Sequence, residues 1–298
     1  MQNRSMLFLV RSCLSLVLTT LAVPILGAAP LVKSGETVAF LGDSITQFGA
    51  QAPGGYVRLV QSGFAANDIA INIVPAGVSG NKSNQMLERL ESSVLEKKPA
   101  WMTLSCGVND VWHSKNGRGI GLEDYKKNIT EIVDRAEKSG VKVVILTSTL
   151  IGPKTDDELN QKAVPYNAFL RELAASHNLP LADLSAEMIK QQDMRKPNGA
   201  NKQLTGDGVH MNYLGNIMMA EGVLRAFGLE ESQLMKARQK WDAIPDAVTV
   251  VPKIPLSLPE MAALEALADA DKKPVDLYIS EKLAQSLREL LKARNEQP

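Results

Sequence analysis

Short apolar runs of strand character alternate along this chain with longer segments of helical periodicity, and this alternation limits the possible folds more than any other feature. The strand-like runs are residues 37–41, 69–74, 100–105 and 141–146, with a last short one at 179–181. The helix-like segments are residues 56–66, 85–97, 125–140, 167–176 and 212–227. Strands separated by helices pair in parallel, so the chain predicts an α/β fold with helices on both faces of a central parallel sheet. In such sheets functional residues gather beyond the carboxyl ends of the strands.

The character of the sequence changes after about residue 228. Four prolines interrupt the next stretch, at positions 245, 252, 255 and 259, and two helix-like pieces follow, residues 259–270 and 275–294. The apolar residues of these pieces must be buried somewhere, which predicts an extension that packs on the main domain. The predicted organisation is therefore an N-terminal segment (1–28), an α/β domain (29–228) and a helical C-terminal extension (229–298).

The N-terminal segment has the pattern of an export signal. Arg4 and Arg11 precede an apolar stretch at residues 14–26, and small residues follow at 27–29. The apolar stretch is shorter than the ~20 residues that a membrane-spanning helix needs, so a signal peptide is favoured over a retained anchor. We therefore expect an exported protein, periplasmic or extracellular, whose mature chain has no membrane span.

The charge balance argues against nucleic acid as a partner. The chain carries 33 Lys and Arg against 33 Asp and Glu, and loss of the N-terminal segment would leave a slight excess of anions. A protein that binds a phosphate backbone usually has a basic surface.

The cysteine count argues against a disulfide. Loss of Cys13 with the N-terminal segment would leave Cys106 alone, so no internal disulfide could form. The sequence gives no information on the oligomeric state.

A serine, a histidine and an acid lie where a hydrolytic site would need them. Catalysis by a serine nucleophile requires a histidine base, a group that orients the histidine, and donors for the oxyanion. Ser44 follows the first predicted strand and precedes a predicted loop, at the carboxyl edge of the sheet. His210 lies three residues after Asp207 and just before the last helix. The carboxylate can therefore fold back onto Nδ1 and leave Nε2 to accept a proton from the serine.

Each of these features also has a simpler structural explanation. Gly-Asp-Ser is a common turn sequence, and Asp207 could cap a turn beside a histidine that only packs.

The other two histidines and the cysteine are less suited to catalysis. His177 follows a helix, where the helix dipole favours it, and His113 has no acid in the right relation except Asp110. Three histidines without a cysteine cluster argue against a structural zinc site. Cys106 follows an apolar run, where a buried, inert thiol is the usual outcome.

Oxyanion donors are available at two further strand ends. A Gly-Val-Ser-Gly turn from Gly77 to Gly80 follows the second strand, where glycine lets a backbone N–H approach a ligand closely. Asn109 follows the third strand and can present its side-chain amide at the same edge. Glycine and asparagine are common in loops, but chance would scatter these motifs instead of placing all of them at strand ends or before the last helix.

Together these motifs resemble the SGNH/GDSL hydrolase superfamily. Its four blocks occur here in family order: a Gly-Asp-Ser serine, a glycine, a Gly-x-Asn-Asp asparagine and an Asp-x-x-His pair. The resemblance spans roughly residues 37–227 and does not extend to the C-terminal extension. It implies a three-layer, flavodoxin-like α/β/α domain. It also implies that Ser44 is the nucleophile, His210 the base and Asp207 the acid that orients the base.

The same resemblance implies the composition of the oxyanion hole. Its donors would be the backbone N–H groups of Ser44 and Gly80 and the side-chain amide of Asn109. Gly80 is preferred to Gly77 because it occupies the family's usual place after the small-residue stretch. Removal of one such donor typically lowers the rate by ~10²–10³.

The expected reaction is acyl transfer from an ester to water through an acyl-serine, with no metal or organic cofactor. Acid should silence the enzyme by protonating the histidine. The expected substrate is a short-acyl ester, such as an acetyl group on a carbohydrate. Trp112 and His113 could form one wall of a small acyl pocket, or Trp112 could only anchor a loop. Two alternatives stay open: a lipolytic enzyme of the lysophospholipase or thioesterase type, and a catalytically silent binding protein of the same fold.

Overall fold

A five-stranded parallel sheet forms the centre of the protein. The computed structural model describes residues 29–152, 154–195, 204–250 and 253–295, and the predicted export segment lies outside the described residues. The strands are β1 (Thr37–Gly42), β2 (Asn72–Gly77), β3 (Trp101–Ser105), β4 (Lys142–Leu146) and β5 (Leu181–Ala182). Their order is β2-β1-β3-β4-β5, which is the flavodoxin-like order. The predicted fold class is confirmed.

Two groups among the helices of this protein cover the sheet. The helices are α1 (Ser44–Gln51), α2 (Tyr56–Ala65), α3 (Ser83–Glu88), α4 (Leu90–Ser93), α5 (Val108–Trp112), α6 (Leu122–Lys138), α7 (Glu158–Ser176), α8 (Leu184–Arg195), α9 (Tyr213–Ala226), α10 (Glu231–Asp242), α11 (Leu258–Ala270) and α12 (Val275–Asn295). Two short 3₁₀ helices lie at Leu95–Lys97 and His113–Asn116. One group contains α2, α8, α9 and α10, and the other contains α3, α5, α6 and α7.

The inner strands are buried on both faces because helices cover both sides. Every residue from Val38 to Leu41 in β1, and from Val143 to Leu146 in β4, is fully buried. Such continuous apolar runs are typical of parallel strands. The carboxyl ends of β1, β2 and β3 are neighbours in this sheet, so the residues that follow them meet at one edge.

The predicted helix at residues 85–97 is in fact interrupted. It forms α3, α4 and a 3₁₀ turn, with a break at Arg89, whose φ is −95° and ψ is 3°. The Arg89 guanidinium donates hydrogen bonds to the Gly42 carbonyl at 2.9 Å and to Asn81 Oδ1 at 2.6 Å. The break thus accompanies a link from this segment to the carboxyl end of β1. One apolar face nevertheless continues through the interruption, since Met86, Leu90 and Val94 are all fully buried.

The chain divides into two compact units, Met1–Val248 and Thr249–Pro298. The first unit includes α10, which the sequence analysis assigned to the extension after residue 228. Leu234 and Ala237 of this helix are fully buried, and the Trp241 indole N–H donates to the Leu59 carbonyl at 2.9 Å. In the second unit α11 and α12 contact each other. In the described part of the chain, no helix is both long enough and apolar enough to cross a membrane.

Candidate active site

Ser44 is the first residue of α1 and directly follows the turn after β1. Asp43 is the N-cap of this helix, and its Oδ1 accepts the Ile45 N–H at 2.9 Å. The loop predicted after Ser44 is wrong, because the Asp43 cap starts a helix at once. Backbone N–H groups in the first turn of a helix have no acceptor within the helix. Ser44 therefore combines a hydroxyl at the sheet edge with a backbone donor.

The structure brings Ser44, His210 and Asp207 together in one chain of hydrogen bonds. The Nε2 atom of His210 lies 2.9 Å from Ser44 Oγ, and its Nδ1 atom lies 2.6 Å from Asp207 Oδ2. The other carboxylate oxygen, Oδ1, accepts the N–H groups of Val209 at 3.0 Å and of His210 at 2.8 Å. Partial burial favours a higher pKa for Asp207, but the hydrogen bonds from His210 and Val209 outweigh it and lower the pKa to about 2. The carboxylate is therefore an anion at any pH near neutrality.

The loop that carries this histidine is closed by its own backbone. Gly206 N–H donates to the His210 carbonyl at 2.9 Å, and Asn212 N–H donates to the Leu204 carbonyl at 3.0 Å. Asn212 also caps α9, through bonds from two N–H groups of the first turn. Gly208 has a φ of +94°, a conformation that favours glycine. These restraints fix the loop in which the imidazole and its carboxylate lie three residues apart.

Gly77 and Gly80 occupy positions that favour glycine for different structural reasons. Gly77 pairs with Gly42 in the sheet, and a Cβ on Gly77 would overlap the backbone of Gln47 in α1. Gly80 has a φ of +76°, and a Cβ there would meet no atom within 4 Å. Gln47 also fixes this loop, because its Oε1 accepts the Ser79 N–H at 2.8 Å and the Ser79 hydroxyl at 2.7 Å. Close packing therefore explains Gly77 and leaves Gly80 as the glycine with an open approach.

Asn109 is the second residue of α5 and is 2% exposed. Its Nδ2 donates to the Asn81 carbonyl at 3.1 Å and to Asp43 Oδ2 at 3.3 Å. The next residue, Asp110, accepts the Ser83 N–H at 3.0 Å and the Ser83 hydroxyl at 2.6 Å, which ties α5 to the start of α3. The amide of Asn109 thus lies beside the residue that precedes the serine.

Asp43 is a site residue that the sequence analysis missed. Its two oxygens serve different elements, since Oδ1 caps α1 and Oδ2 accepts from Asn109. The side chain is 2% exposed. Burial raises the pKa of Asp43 from 3.8 to about 6; the bond from Ile45 N–H opposes this rise, and the nearby Asp110 carboxyl adds to it. The buried carboxyl therefore holds a helix and an amide in place at a cost in stability.

We expect the variant Asp43→Asn to gain stability relative to the parent protein as pH rises. The folded-state pKa of Asp43 lies above the ordinary value, so the folded protein keeps a proton that the unfolded chain releases between pH 3.8 and about 6. Across this window the parent loses about 3 kcal/mol of unfolding free energy that the amide does not lose. Urea unfolding of both proteins at about pH 4 and about pH 8 measures the difference. A stability difference that is the same at both pH values would contradict the assignment.

The histidines and the cysteine outside this hydrogen-bonded chain have other environments. His113 begins a 3₁₀ helix, and its pKa is lowered by partial burial and by the positive charges of Lys82 and Arg118. The sulfur of Cys106 is buried and donates to Asp110 Oδ2 at 3.5 Å. Burial raises the pKa of this thiol well above its ordinary value. A thiol held neutral is a poor nucleophile.

His177 lies at the opposite edge of the sheet from Ser44. It lines a cavity together with Trp101 and Lys142, which are the first residues of β3 and β4. His177, Asp134 and Glu137 are the one group in the described ranges that could offer three ligands to a metal ion, with the ligand atoms within 4.8 Å of one another. A hydrogen bond of 3.0 Å between His177 Nδ1 and Glu137 Oε2 already accounts for the proximity of two of these three side chains.

Known proteins share this fold. The family model for GDSL-like lipase/acylhydrolase proteins matches residues 40–216. An acetylxylan esterase from Geobacillus stearothermophilus is 26% identical over 216 residues, which cover 67% of this chain and 97% of the relative. Its crystal structure matches with a TM-score of 0.60 at 25% identity, over the same shares of the two chains.

Two further relatives are also esterases. The crystal structure of the acetyl xylan esterase AlAXEase is 32% identical with a TM-score of 0.60, and the match covers 64% of this chain and 98% of that chain. The esterase TesA from Pseudomonas aeruginosa is 30% identical over 139 residues, 46% of this chain and 62% of TesA. The chain belongs to the GDSL-like lipase/acylhydrolase family. It is a carboxylic-ester hydrolase of the GDSL/SGNH type.

Proposed function

We propose that Ser44, His210 and Asp207 are the catalytic residues of an esterase that forms an acyl-serine. The observation that carries this proposal is the continuous chain of hydrogen bonds from Ser44 Oγ through the imidazole to Asp207. His210 Nε2 removes the hydroxyl proton as Ser44 Oγ attacks the ester carbonyl. The same nitrogen then gives the proton to the departing alcohol, and a water molecule repeats the cycle on the acyl-serine. Asp207 holds the tautomer in which Nδ1 carries a proton.

The proposed oxyanion hole uses the N–H groups of Ser44 and Gly80 and the amide of Asn109. The position of Ser44 in the first turn of α1 and the open approach to Gly80 support two of these donors. Asn109 Nδ2 has two hydrogen bonds, and the longer one, to Asp43 Oδ2, is the one that a substrate oxyanion would replace. Donors fixed in this way require little reorganisation when charge develops on the oxygen.

The proposed substrates are short acyl groups, such as acetyl, on carbohydrates. Two of the relatives compared above are named acetylxylan esterases, and the matches cover 97% and 98% of their lengths. A lipolytic or thioesterase activity is the second candidate, but the match to TesA covers only 62% of that protein. We also propose that the chain is exported, on the basis of the cationic, apolar and small-residue pattern of its first 28 residues.

A series of p-nitrophenyl esters with increasing acyl length tests the acyl preference. We expect kcat/KM to be at least about tenfold higher for acetate than for octanoate, because a short-acyl site gives a long chain no apolar surface to bury. Acetylated xylobiose should be hydrolysed as well, with acetate measured as the product. A kcat/KM that rises with acyl length would favour the lipolytic alternative. Absence of turnover with every ester, in a folded protein, would favour a silent binding protein.

A further inference from the structure

A cavity of about 400 Å³ adjoins the proposed catalytic loop. One wall is formed by the consecutive residues Asp207, Gly208 and Val209, directly before His210. The lining also includes Trp112 from the end of α5 and Glu158 from the start of α7. Its volume falls in the range of about 300–1,000 Å³ that small-ligand sites occupy. The proposed mechanism above uses Asp207 alone among these residues.

The wall of this cavity is fixed by short backbone contacts. Gly152 N–H donates to the Gly208 carbonyl at 2.6 Å, which joins the segment after β4 to the catalytic loop. The Asp157 carboxylate lies against Gly152, with its Oδ2 3.3 Å from the position that a Cβ there would take. Asp157 precedes α7 without capping it through its side chain. The cavity is therefore built by the same backbone that holds His210.

The direction of the reaction indicates which part of an ester would lie in this cavity. His210 must give its proton to the alcohol oxygen as the alcohol departs. The alcohol portion of the ester therefore lies on the side of the imidazole, whereas the carbonyl oxygen points to the donors from Ser44, Gly80 and Asn109. The cavity wall is continuous with His210 in the chain. Its adjacency to the residue that must protonate the alcohol favours the alcohol, and not the acyl group, as the part of the ester that occupies it.

The charged groups of the cavity select a neutral, hydroxyl-rich ligand. Asp157, Glu158 and Asp207 bring three carboxylates to it, and Lys115 brings one ammonium group. Carboxylates accept hydrogen bonds from hydroxyl groups and repel anions, so a phosphate-containing alcohol is disfavoured. A long apolar chain would leave these charges desolvated and unpaired. Trp112, whose side chain is 38% exposed, offers a flat apolar surface on which the C–H face of a sugar ring can rest.

We propose that this cavity is the subsite for the sugar that carries the ester, with Trp112 as its platform and with Asp157 and Glu158 as acceptors for the sugar hydroxyls. The inference rests on the proposed function and makes it more specific, because it assigns the specificity for the alcohol to these three residues. Trp112 would then act on the alcohol side of the substrate, and neither as the wall of an acyl pocket nor only as a loop anchor, the two roles that its sequence position left open.

Two acetate esters with different alcohols test this assignment. Ethyl acetate has an alcohol too small to fill the cavity, whereas mono-O-acetyl xylobiose places a sugar there. We expect Trp112→Ala to lower the ratio of kcat/KM for the sugar ester to kcat/KM for ethyl acetate by about tenfold or more. Trp112→Phe, which keeps a ring, should restore most of the ratio. Glu158→Gln, at an exposed position, should lower it about threefold or more, because a charge-assisted hydrogen bond is lost.

The control variant is Met235→Ala, which removes an exposed apolar side chain from α10 and should leave both rates unchanged. An unchanged ratio in Trp112→Ala, in an enzyme that hydrolyses ethyl acetate, overturns the subsite while the esterase stands. If the parent has a higher kcat/KM for acetylcholine than for the sugar ester, and Trp112→Ala abolishes this preference, the cavity binds a cationic alcohol and the proposal of a neutral sugar is overturned. If the parent hydrolyses no ester, the proposed function fails. In that case calorimetric titration with xylobiose tests the sugar subsite independently of catalysis. Weaker binding by Trp112→Ala than by the parent supports the subsite, and equal binding by both, or no binding by the parent, overturns it.

Discussion

The variant Ser44→Ala should lose ester hydrolysis by a factor of about 10⁴–10⁶ in kcat. The alanine has no oxygen to attack the carbonyl, so the acyl-serine cannot form and only attack by water remains. The residual rate reflects the oxyanion donors and substrate binding, which the substitution leaves in place. Ser44 is 7% exposed and is the first residue of a helix. Because alanine at this position is only smaller than serine, we expect the variant protein to fold normally. Hydrolysis of p-nitrophenyl acetate, with a check of the fold by circular dichroism, measures the effect.

A covalent probe makes the same prediction independent of substrate choice. A serine-directed organophosphonate should add one equivalent to the parent protein, with the mass increase on the peptide that contains Ser44. The variant should take up none. Ser92→Ala, in the short helix α4, is the matched control and should be labelled and active like the parent. Equal turnover by the parent and Ser44→Ala would mean that another group is the nucleophile.

The central strands could be predicted from the sequence because their burial depends on local composition. The runs in β1 and β4 are apolar at every position that the helices cover, so no long-range information was needed to identify them. The helix α7 shows the opposite case. It begins at Glu158, whereas the predicted helix began at residue 167, and Pro165 lies inside the observed helix. A proline normally ends a helix, but here the helix is buried against the domain both before Pro165, at Ala163, and after it, at Tyr166.

The residues of the proposed site could be found because each one follows a strand or precedes the last helix. Asp43 escaped because its importance depends on three-dimensional neighbours: its second oxygen contacts Asn109, which is distant in sequence. One local signal was available, since an aspartate directly before a short apolar-polar segment is a common helix N-cap. The contact of Arg89 with the Gly42 carbonyl had no such signal. Long side chains that cross from one element to another leave no periodic pattern in a sequence.

Replacing Asp207 with asparagine should lower kcat by about 10⁴-fold, and the two bonds at Oδ1 explain why. The N–H groups of Val209 and His210 both donate to Oδ1, at 3.0 Å and 2.8 Å. In the variant these donors will hold the amide oxygen in that place, so the amide NH₂ must face Nδ1. The imidazole will then carry its proton on Nε2, the atom that should accept the proton of Ser44. The base is thus present and correctly placed, but in the wrong tautomer.

This explanation predicts an order among variants that a purely structural role of Asp207 would not give. Asp207→Ala leaves Nδ1 free to carry a proton, so it should be no more impaired than Asp207→Asn, although it loses more hydrogen bonds. The ¹⁵N chemical shifts of the His210 ring should report a proton on Nδ1 in the parent and on Nε2 in Asp207→Asn. Asp124→Asn, an exposed substitution in the first turn of α6, should change neither the rate nor the spectrum. If Asp207→Asn keeps its proton on Nδ1 and is nevertheless inactive, the carboxylate acts through its charge on the imidazolium and not through the tautomer.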